Sequence, residues 1–383
     1  MTAHAPFLSA MPAGRGAVEA ALDGIQMPRE IRTERLILTP FEMHHLNGFA
    51  EFWADPDTTR FIGGPTDRAG ALLRMARFSG LWRLYGFGTY ALSDEHGRLH
   101  GYAGLWFPHD WAEPEIAYGL LPAARGKGIA QEAVRAIRSI AEAVGVPSLV
   151  STIAPENHGS RRVAGSVGAT ISHRHMIDLH EVDIWRYPMN PAEPEREPLM
   201  LDSRVMPLTI TTERLRLRQW HPADFPRYAG MLATTRLAGV KRPAAALFEA
   251  SRSFMGLAGT WHLRGYGLYA VEHDGRFIGS VGLGHPGDWP GPEIAYSLTT
   301  DARGQGFATE AVAAVRAVAA EQGLNRLVSF IDPANARSRA LARRVGATAD
   351  GTISLAGTQL EIWRHQTEGA ADHARILELE PAL

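Results

Sequence analysis

The residues with the clearest chemical potential are two short glycine clusters, Arg125-Gly126-Lys127-Gly128-Ile129-Ala130 and Arg303-Gly304-Gln305-Gly306-Phe307-Ala308. Each lies between a strand-like segment and a helix-like one. Glycine lets a backbone turn sharply and approach a ligand closely. The first amides of a helix have no partner within it and point outward. Phosphate is the ligand such a loop suits. Lys127 is followed by Gly128 instead of Ser or Thr, so the magnesium-holding hydroxyl of a nucleotide P-loop is missing. The dinucleotide fingerprint is missing too, because its third glycine would fall at Gln131 and Thr309. Two readings stay open at this point: a diphosphate held without metal or nicotinamide, and a plain glycine turn that caps a helix. Recurrence of the loop in the same context favours the ligand.

The loops occupy matching points of an internal duplication. Thr33-Glu34-Arg35-Leu36 recurs as Thr212-Glu213-Arg214-Leu215, Pro114-Glu115-Ile116-Ala117-Tyr118 as Pro292-Glu293-Ile294-Ala295-Tyr296, and Ile184-Trp185-Arg186 as Ile362-Trp363-Arg364. Solenoid repeats recur at about 20 to 50 residues, far less than the separation of Arg125 from Arg303, so each copy reads as a complete domain. The expected layout is an N-terminal arm at 1–28, a first domain at 29–190, a linker at 191–207, a second domain at 208–367 and an acidic tail at 368–383. The linker falls in the proline-rich polar stretch between Pro188 and Pro207.

Within each copy the periodicity alternates between strand and helix. Arg35 to Thr39 and Arg214 to Arg218 alternate apolar with polar residues, as half-buried strands do. Gly88 to Ser93 and Gly101 to Phe107 read as strands joined by the turn Asp94 to Gly97. Glu115 to Leu121, Leu149 to Ile153 and Asp183 to Tyr187 read as further strands. Ile129, Ala133, Ile137, Ile140, Ala141 and Val144 recur at helical spacing, with Gly145 placed to end the helix. Ser160 to Val167 reads as a short helix ended by Gly168. The pattern implies an α/β class, mixed α+β, with a central mixed sheet flanked by helices in each of two tandem domains.

Composition narrows the function. The chain has 383 residues, enough for a sizeable core. It has no cysteine, which removes disulfides, thiolate metal sites and a cysteine nucleophile together. Lys plus Arg number 39 against 41 Asp plus Glu, too balanced for the positive field that binds a phosphate backbone, so no nucleic-acid partner is expected. No apolar run approaches the 18 or more residues of a membrane span, and the first 28 residues lack the apolar block of a secretory signal. A cytoplasmic protein without a membrane partner is expected. The 16 histidines show no repeated metal spacing, so no metal is expected either.

The motif Arg-x-x-Gly-x-Ala, after a strand and opening a long helix, resembles the acetyl-CoA signature of the GNAT superfamily of N-acetyltransferases. Thr-Glu-Arg-Leu, together with Pro155-Glu156-Asn157-His158-Gly159-Ser160, Val163-Ala164 and Gly168-Ala169, resembles the subfamily that acetylates the N-termini of ribosomal proteins. The second copy carries Pro333-Ala334-Asn335-Ala336-Arg337-Ser338, Leu341-Ala342 and Gly346-Ala347. The likeness covers about residues 31–188 and 210–366. It implies a GNAT-type fold in each half, acetyl-CoA as cofactor, and an acceptor with a primary amine, either a protein N-terminus or a small molecule. It places the cofactor diphosphate on the backbone of Arg125, Gly126, Lys127, Gly128, Ile129 and Ala130, and of Arg303, Gly304, Gln305, Gly306, Phe307 and Ala308. Asn157 and Asn335 would reach the pantetheine arm, and Ser160 and Ser338 would touch the cofactor. Those asparagines also suit plain helix capping. Two copies in one chain resemble a covalently linked dimer, so a monomer is expected.

Attack on a thioester needs a neutral amine, and amine pKa values run from about 7.7 for an α-amine to about 10.4 for a lysine. Glu115 and Glu293, on the strand leading into each loop, are the catalytic candidates, taking the proton directly or through water. Glu113 lies on the same strand face, but its counterpart is Gly291. The other reading of Glu115 is a part-buried carboxylate paired with an arginine. Many GNAT members place a tyrosine general acid four residues before the helix-ending glycine; Ala164 and Ala342 stand there, which leaves the acid step unassigned. A thiol with a pKa of about 8.5 is a tolerable leaving group without one. Tyr118 and Tyr296 read as strand packing, and most of Trp53, Phe61, Trp82, Trp106, Trp111, Trp220, Trp261 and Trp289 as core. Asp110 and Asp288 sit in loops before the candidate strands, as receivers of a cationic amine or as plain turns. A non-catalytic acyl-CoA-binding or regulatory protein, with one or both halves inactive, is the alternative to the enzyme.

Overall fold

The computed structural model describes residues 12–177, 180–194, 196, 205–234, 243–285, 289, 291–355 and 357–365. The acidic tail, much of the linker and the start of the N-terminal arm lie outside them. Contacts divide the chain into two compact units, Met1–Met200 with Gly239–Leu263, and Leu201–Ala238 with Arg264–Leu383.

The first unit is built on an eight-stranded sheet of β1 (Ile31–Arg32), β2 (Ile37–Pro40), β3 (Thr89–Ser93), β4 (Leu99–Trp106), β5 (Glu115–Leu120), β6 (Val150–Ile153), β7 (Thr170–Ile177) and β8 (His180–Arg186). The order is β1-β2-β3-β4-β5-β6-β8-β7. All neighbours are antiparallel except β5 and β6. One face is covered by helices Leu46–Ala54 and Arg68–Tyr85, where Phe49, Phe52, Trp53, Phe78 and Tyr102 pack edge to face, the geometry favoured by ring quadrupoles. Helix Ile129–Ala143 lies against β4 and β5, burying Ile129, Ala133, Ile137 and Ala141 at a spacing of one turn. Its end follows the expected cap: Gly145 has φ 84°, and the Val146 amide reaches back to the Ala141 carbonyl at 2.8 Å.

The second unit repeats this sheet with β9 (Ile210–Thr211), β10 (Arg216–Arg218), β11 (Leu268–His273), β12 (Arg276–Gly284), β13 (Glu293–Leu298), β14 (Leu327–Ile331), β15 (Thr348–Leu355) and β16 (Thr358–His365). Its order, β9-β10-β11-β12-β13-β14-β16-β15, is that of the first. The mixed α+β class with two tandem domains is thus what the chain adopts.

One connection departs from the simple order of the repeat. Helix Pro243–Arg264 belongs to the second sequence copy, yet through Leu263 it is part of the first unit. It crosses helix Arg68–Tyr85 where two glycines meet. A Cβ on Gly80 would overlap the Met255 carbonyl, and one on Gly259 the Ala76 carbonyl. Only residues without side chains let the backbones touch there. The N-terminal arm is helical at Arg15–Leu22. Strands β7 and β15 were not legible in the sequence: both are sheet edges, exposed along most of their length, and so carry no alternation. Among the described residues, no helix is long and apolar enough to cross a membrane.

Candidate active site

The glycine loops have the backbone their composition suggests. Gly126 and Gly128 have φ 73° and 77°, and Gly304 and Gly306 have φ 82° and 83°, values that L side chains rarely adopt. Gly128 is the N-cap of helix Ile129–Ala143 and Gly306 of helix Phe307–Glu321, and neither helix end carries a side-chain cap. The first-turn amides are left for an external acceptor. A Cβ at Gly126 or Gly304 would meet nothing within 4 Å, so a diphosphate has room against the backbone. The residues present fit such a group.

Each loop is braced by the Thr-Glu-Arg-Leu segment. Thr33 Oγ1 and the Arg35 amide donate to Glu132 Oε1 at 2.5 and 2.9 Å, Arg35 Nε donates to Oε2 at 2.7 Å, and Arg35 Nη1 donates to the Lys127 carbonyl at 2.7 Å. The second copy repeats all four bonds from Thr212 and Arg214 to Glu310 and the Gln305 carbonyl, at 2.6, 3.0, 2.7 and 3.0 Å. The sequence marks the Thr and Arg through the repeated Thr-Glu-Arg-Leu motif but gives no sign of Glu132 or Glu310 as their partners. Folding turns them into a clamp on the first helical turn.

Between β5 and β6 the ladder holds at one residue pair, Glu115 with Val150, and then stops. The Val150 amide still donates to the Pro114 carbonyl at 3.1 Å; continuation would pair the Thr152 amide with the Ile116 carbonyl. Instead, Ser151 Oγ donates to the Ile116 carbonyl at 2.7 Å, and the Thr152 amide donates to Glu115 Oε1 at 3.2 Å. The strands part and side chains satisfy both orphaned groups. In the second copy Glu293 pairs with Val328, Ser329 Oγ donates to the Ile294 carbonyl at 2.7 Å, and the Phe330 amide donates to Glu293 Oε2 at 3.4 Å. Each candidate carboxylate therefore sits at the apex of a fork. Because the Pro114 and Ile116 carbonyls face the gap, alternation along β5 turns the backbone of Tyr118 into it as well.

Burial pushes the Glu115 carboxyl up to about 7, against the pull of hydrogen bonds from Thr152 and Trp111 and of the Arg252 cation. Burial pushes Glu293 up to about 7 too, opposed by the Phe330 amide. The arginine-paired glutamate is Glu113, bonded to Arg186 at 2.7 and 2.8 Å.

The asparagines cap helices. Asn157 Oδ1 accepts from the Ser160 amide and Asn335 Oδ1 from the Ser338 amide, both at 3.1 Å. Tyr118 does more than pack. Its hydroxyl donates to the Ser160 carbonyl at 2.9 Å, and that of Tyr296 donates to the Ser338 carbonyl at 3.2 Å, tying the strand before the fork to the helix after it. Ala164 and Ala342 are buried core residues.

Of the tryptophans, Trp53, Trp82, Trp220 and Trp261 are core, whereas Trp106, Trp111 and Trp289 are half-buried beside the forks. Trp111 Nε1 donates to Glu115 Oε2 at 2.7 Å. Asp110 is not open to receive an amine, because Arg252 holds it at 2.5 Å; Asp288 lies outside the described residues. The Trp111 carbonyl accepts from Arg15 Nη1 at 2.7 Å, an arm residue no motif pointed to. The second copy holds the Trp289 carbonyl by another device. His285 Nε2 bonds to it at 3.2 Å, and Tyr266 Oη lies 2.9 Å from His285 Nδ1. A carbonyl only accepts, so Nε2 carries the proton and the tyrosine donates to Nδ1.

Comparison with known proteins agrees with this architecture. The acetyltransferase (GNAT) domain profile matches twice, over residues 35–170 and 214–348. Among solved structures, an acetyltransferase from Agrobacterium tumefaciens C58 is 32% identical over 45% of this chain and 100% of its own, with a TM-score of 0.37. A GNAT-family acetyltransferase from Bordetella pertussis is 25% identical over 42% and 100%, with a TM-score of 0.36. Mycobacterium smegmatis RimJ, in complex with CoA-disulfide, is 21% identical over 43% and 88%, with a TM-score of 0.35. No curated protein matches the chain. With the same domain matched in both halves and the same braced loop and fork in each, the chain belongs to the acetyltransferase (GNAT) family as two copies in tandem.

Proposed function

We propose that the protein is an acetyl-CoA-dependent N-acetyltransferase that moves an acetyl group to a primary amine, on a protein N-terminus or a small molecule, by direct attack. The carrying observation is the duplicated fork: a carboxylate, buried at Glu115 and half-buried at Glu293, raised to about 7 in each copy, beside a gap in the sheet next to a braced anion loop. Bound acetyl-CoA would supply the thioester, its diphosphate on the first-turn amides after Gly128 or Gly306. The Tyr118 backbone in the gap supplies hydrogen-bonding groups to the pantetheine and to the carbonyl oxygen as negative charge develops there. Asn157 with Ser160, and Asn335 with Ser338, on helix starts tied to the forked strand by Tyr118 and Tyr296, would meet the pantetheine arm.

Glu115, or Glu293, takes one proton from the acceptor ammonium. The free amine then attacks the thioester carbonyl, the carbon–sulfur bond breaks, and the second amine proton goes to the leaving thiolate. A base near neutrality suits this task, because it is ionised at working pH yet binds a proton readily. The acetyltransferase (GNAT) domain matched in both halves supports coenzyme A as the acyl carrier. The test is thiol release from acetyl-CoA across a panel of amines, with Glu115→Gln, Glu293→Gln and both. Turnover lost stepwise supports two catalytic sites. Cofactor binding with no turnover on any amine would favour an acyl-CoA-binding protein instead.

A further inference from the structure

We propose that Arg252, from the second sequence copy, is a positioning residue for the first site, holding the Phe107–Trp111 loop so that the Trp111 indole stays on the Glu115 carboxylate. The proposal rests on the reading of Glu115 as the base. Helix Pro243–Arg264 reaches the loop twice: Arg252 Nη1 bonds Asp110 Oδ1 at 2.5 Å, and Ser251 Oγ accepts from the His109 amide at 2.8 Å. The Arg252 guanidinium also stands 5.3 Å from the Trp106 ring, 5.4 Å from Trp111 and 4.0 Å from Phe248. Arg15 Nη1 in turn donates to the carbonyls of Pro108 and Trp111 at 2.5 and 2.7 Å. Charge, amide and carbonyls of the loop are all held, and what the loop presents is the indole N–H 2.7 Å from Glu115.

Stability alone does not account for the Arg252–Asp110 pair. Both side chains are largely buried, at 7% and 15% exposed, and a buried ion pair is often no better than apolar residues of the same volume. The pair instead sets an orientation that apolar packing would leave loose. The groups that face Glu115 electrostatically are Arg252 from this helix, Tyr102 from β4, Tyr118 from β5 and Tyr187 after β8, with Trp111 and Thr152 bonded to it. Arg252 is the cation among them. The second site gives an internal control, because there the Trp289 carbonyl is held by His285, which Tyr266 orients in turn.

The test uses the full chain carrying Glu293→Gln, so that turnover reports the first site. Arg252→Met keeps the apolar stem and removes the charge and fork. The pH at which kcat/KM reaches half its maximum is expected to rise by about one unit, and Trp111→Phe to raise it in the same direction with no further rise in the double variant. Arg252→Lys restores most of the onset. If Arg252→Met does not fold, Arg252→Gln, which also removes the charge and the fork but keeps a polar end, carries the same prediction. A second readout needs no turnover: in the 15N-labelled protein the Trp111 indole resonance, assigned by its loss in Trp111→Phe, titrates with Glu115 and moves to higher pH in Arg252→Met. An unchanged midpoint in both readouts overturns the proposal, as does an equal shift of the second site measured in a Glu115→Gln background. If Glu115→Gln leaves turnover intact, the base assignment fails while the indole titration still decides the role of Arg252.

Discussion

Replacing Glu115 by Gln, in a chain also carrying Glu293→Gln, separates the cap this side chain provides from the base we propose it to be. As a fork cap, Glu115 accepts from the Thr152 amide and the Trp111 indole. A glutamine oxygen can take one of these bonds while its NH2 meets the other donor, at a cost of about 1–3 kcal/mol. As an ionisable group its folded pKa is raised, so its neutral form is at no disadvantage below the ordinary value of 4.5, and stability is lost as pH rises through about 7. The interval corresponds to ~3 kcal/mol at about 1.4 kcal/mol per pH unit. Gln carries no such penalty. The variant is therefore less stable than the parent at pH 5, and the difference closes or reverses by pH 8, as thermal unfolding at the two pH values measures. As the proposed base, Glu115 would supply a factor of about 10² to 10⁴. First-site turnover falls by that factor and loses the onset near pH 7, where the parent at pH 6 is already down to about a tenth of its plateau. Activity within about threefold of the parent, with the same onset, would refute the assignment.

Gly128→Val with Gly306→Val places a β-branched residue at φ 77° and 83° with its Cβ 3.4 Å from the Arg35 or Arg214 guanidinium, and coenzyme A affinity by calorimetry should fall at least about a hundredfold, given strain of about 1–3 kcal/mol at each loop and the blocked approach. Unchanged affinity with native circular dichroism would sink the cradle. Arg35→Ala removes both the Glu132 pair and the bond to the Lys127 carbonyl; about a tenfold loss of cofactor affinity in the first site is expected, with the second site intact until Arg214→Ala is added. Tyr118→Phe deletes the hydroxyl bond to Ser160 and should lower stability by about 1 kcal/mol, read as a shift in the denaturant midpoint without a change in slope.

Much of the architecture was legible because it rests on local signals. Glycines at Gly126 and Gly128, apolar residues one turn apart from Ile129 to Ala141, and a capping Asn157 report their own backbone through sterics and periodicity. Legibility ended where the signal is relational. Strand β7 is exposed on both faces and shows no pattern. Asp110 looked available because its partner, Arg252, is 142 residues away. Arg15 carries no motif, and only its burial beside Phe107 and the loop carbonyls reveals its part.

The amino-acid order by itself determined that two like domains stand in tandem, that each opens a helix with a bare glycine turn, and that a glutamate precedes each turn at the same place. These follow from rules acting over a few residues. Only the tertiary structure decided that the ladder between β5 and β6 breaks one step past Glu115, that the carboxylate is buried there, and that a helix from the second copy sits over the first site. Those depend on which surfaces meet, and burial, dielectric and the partners of a charge are properties of the packed chain.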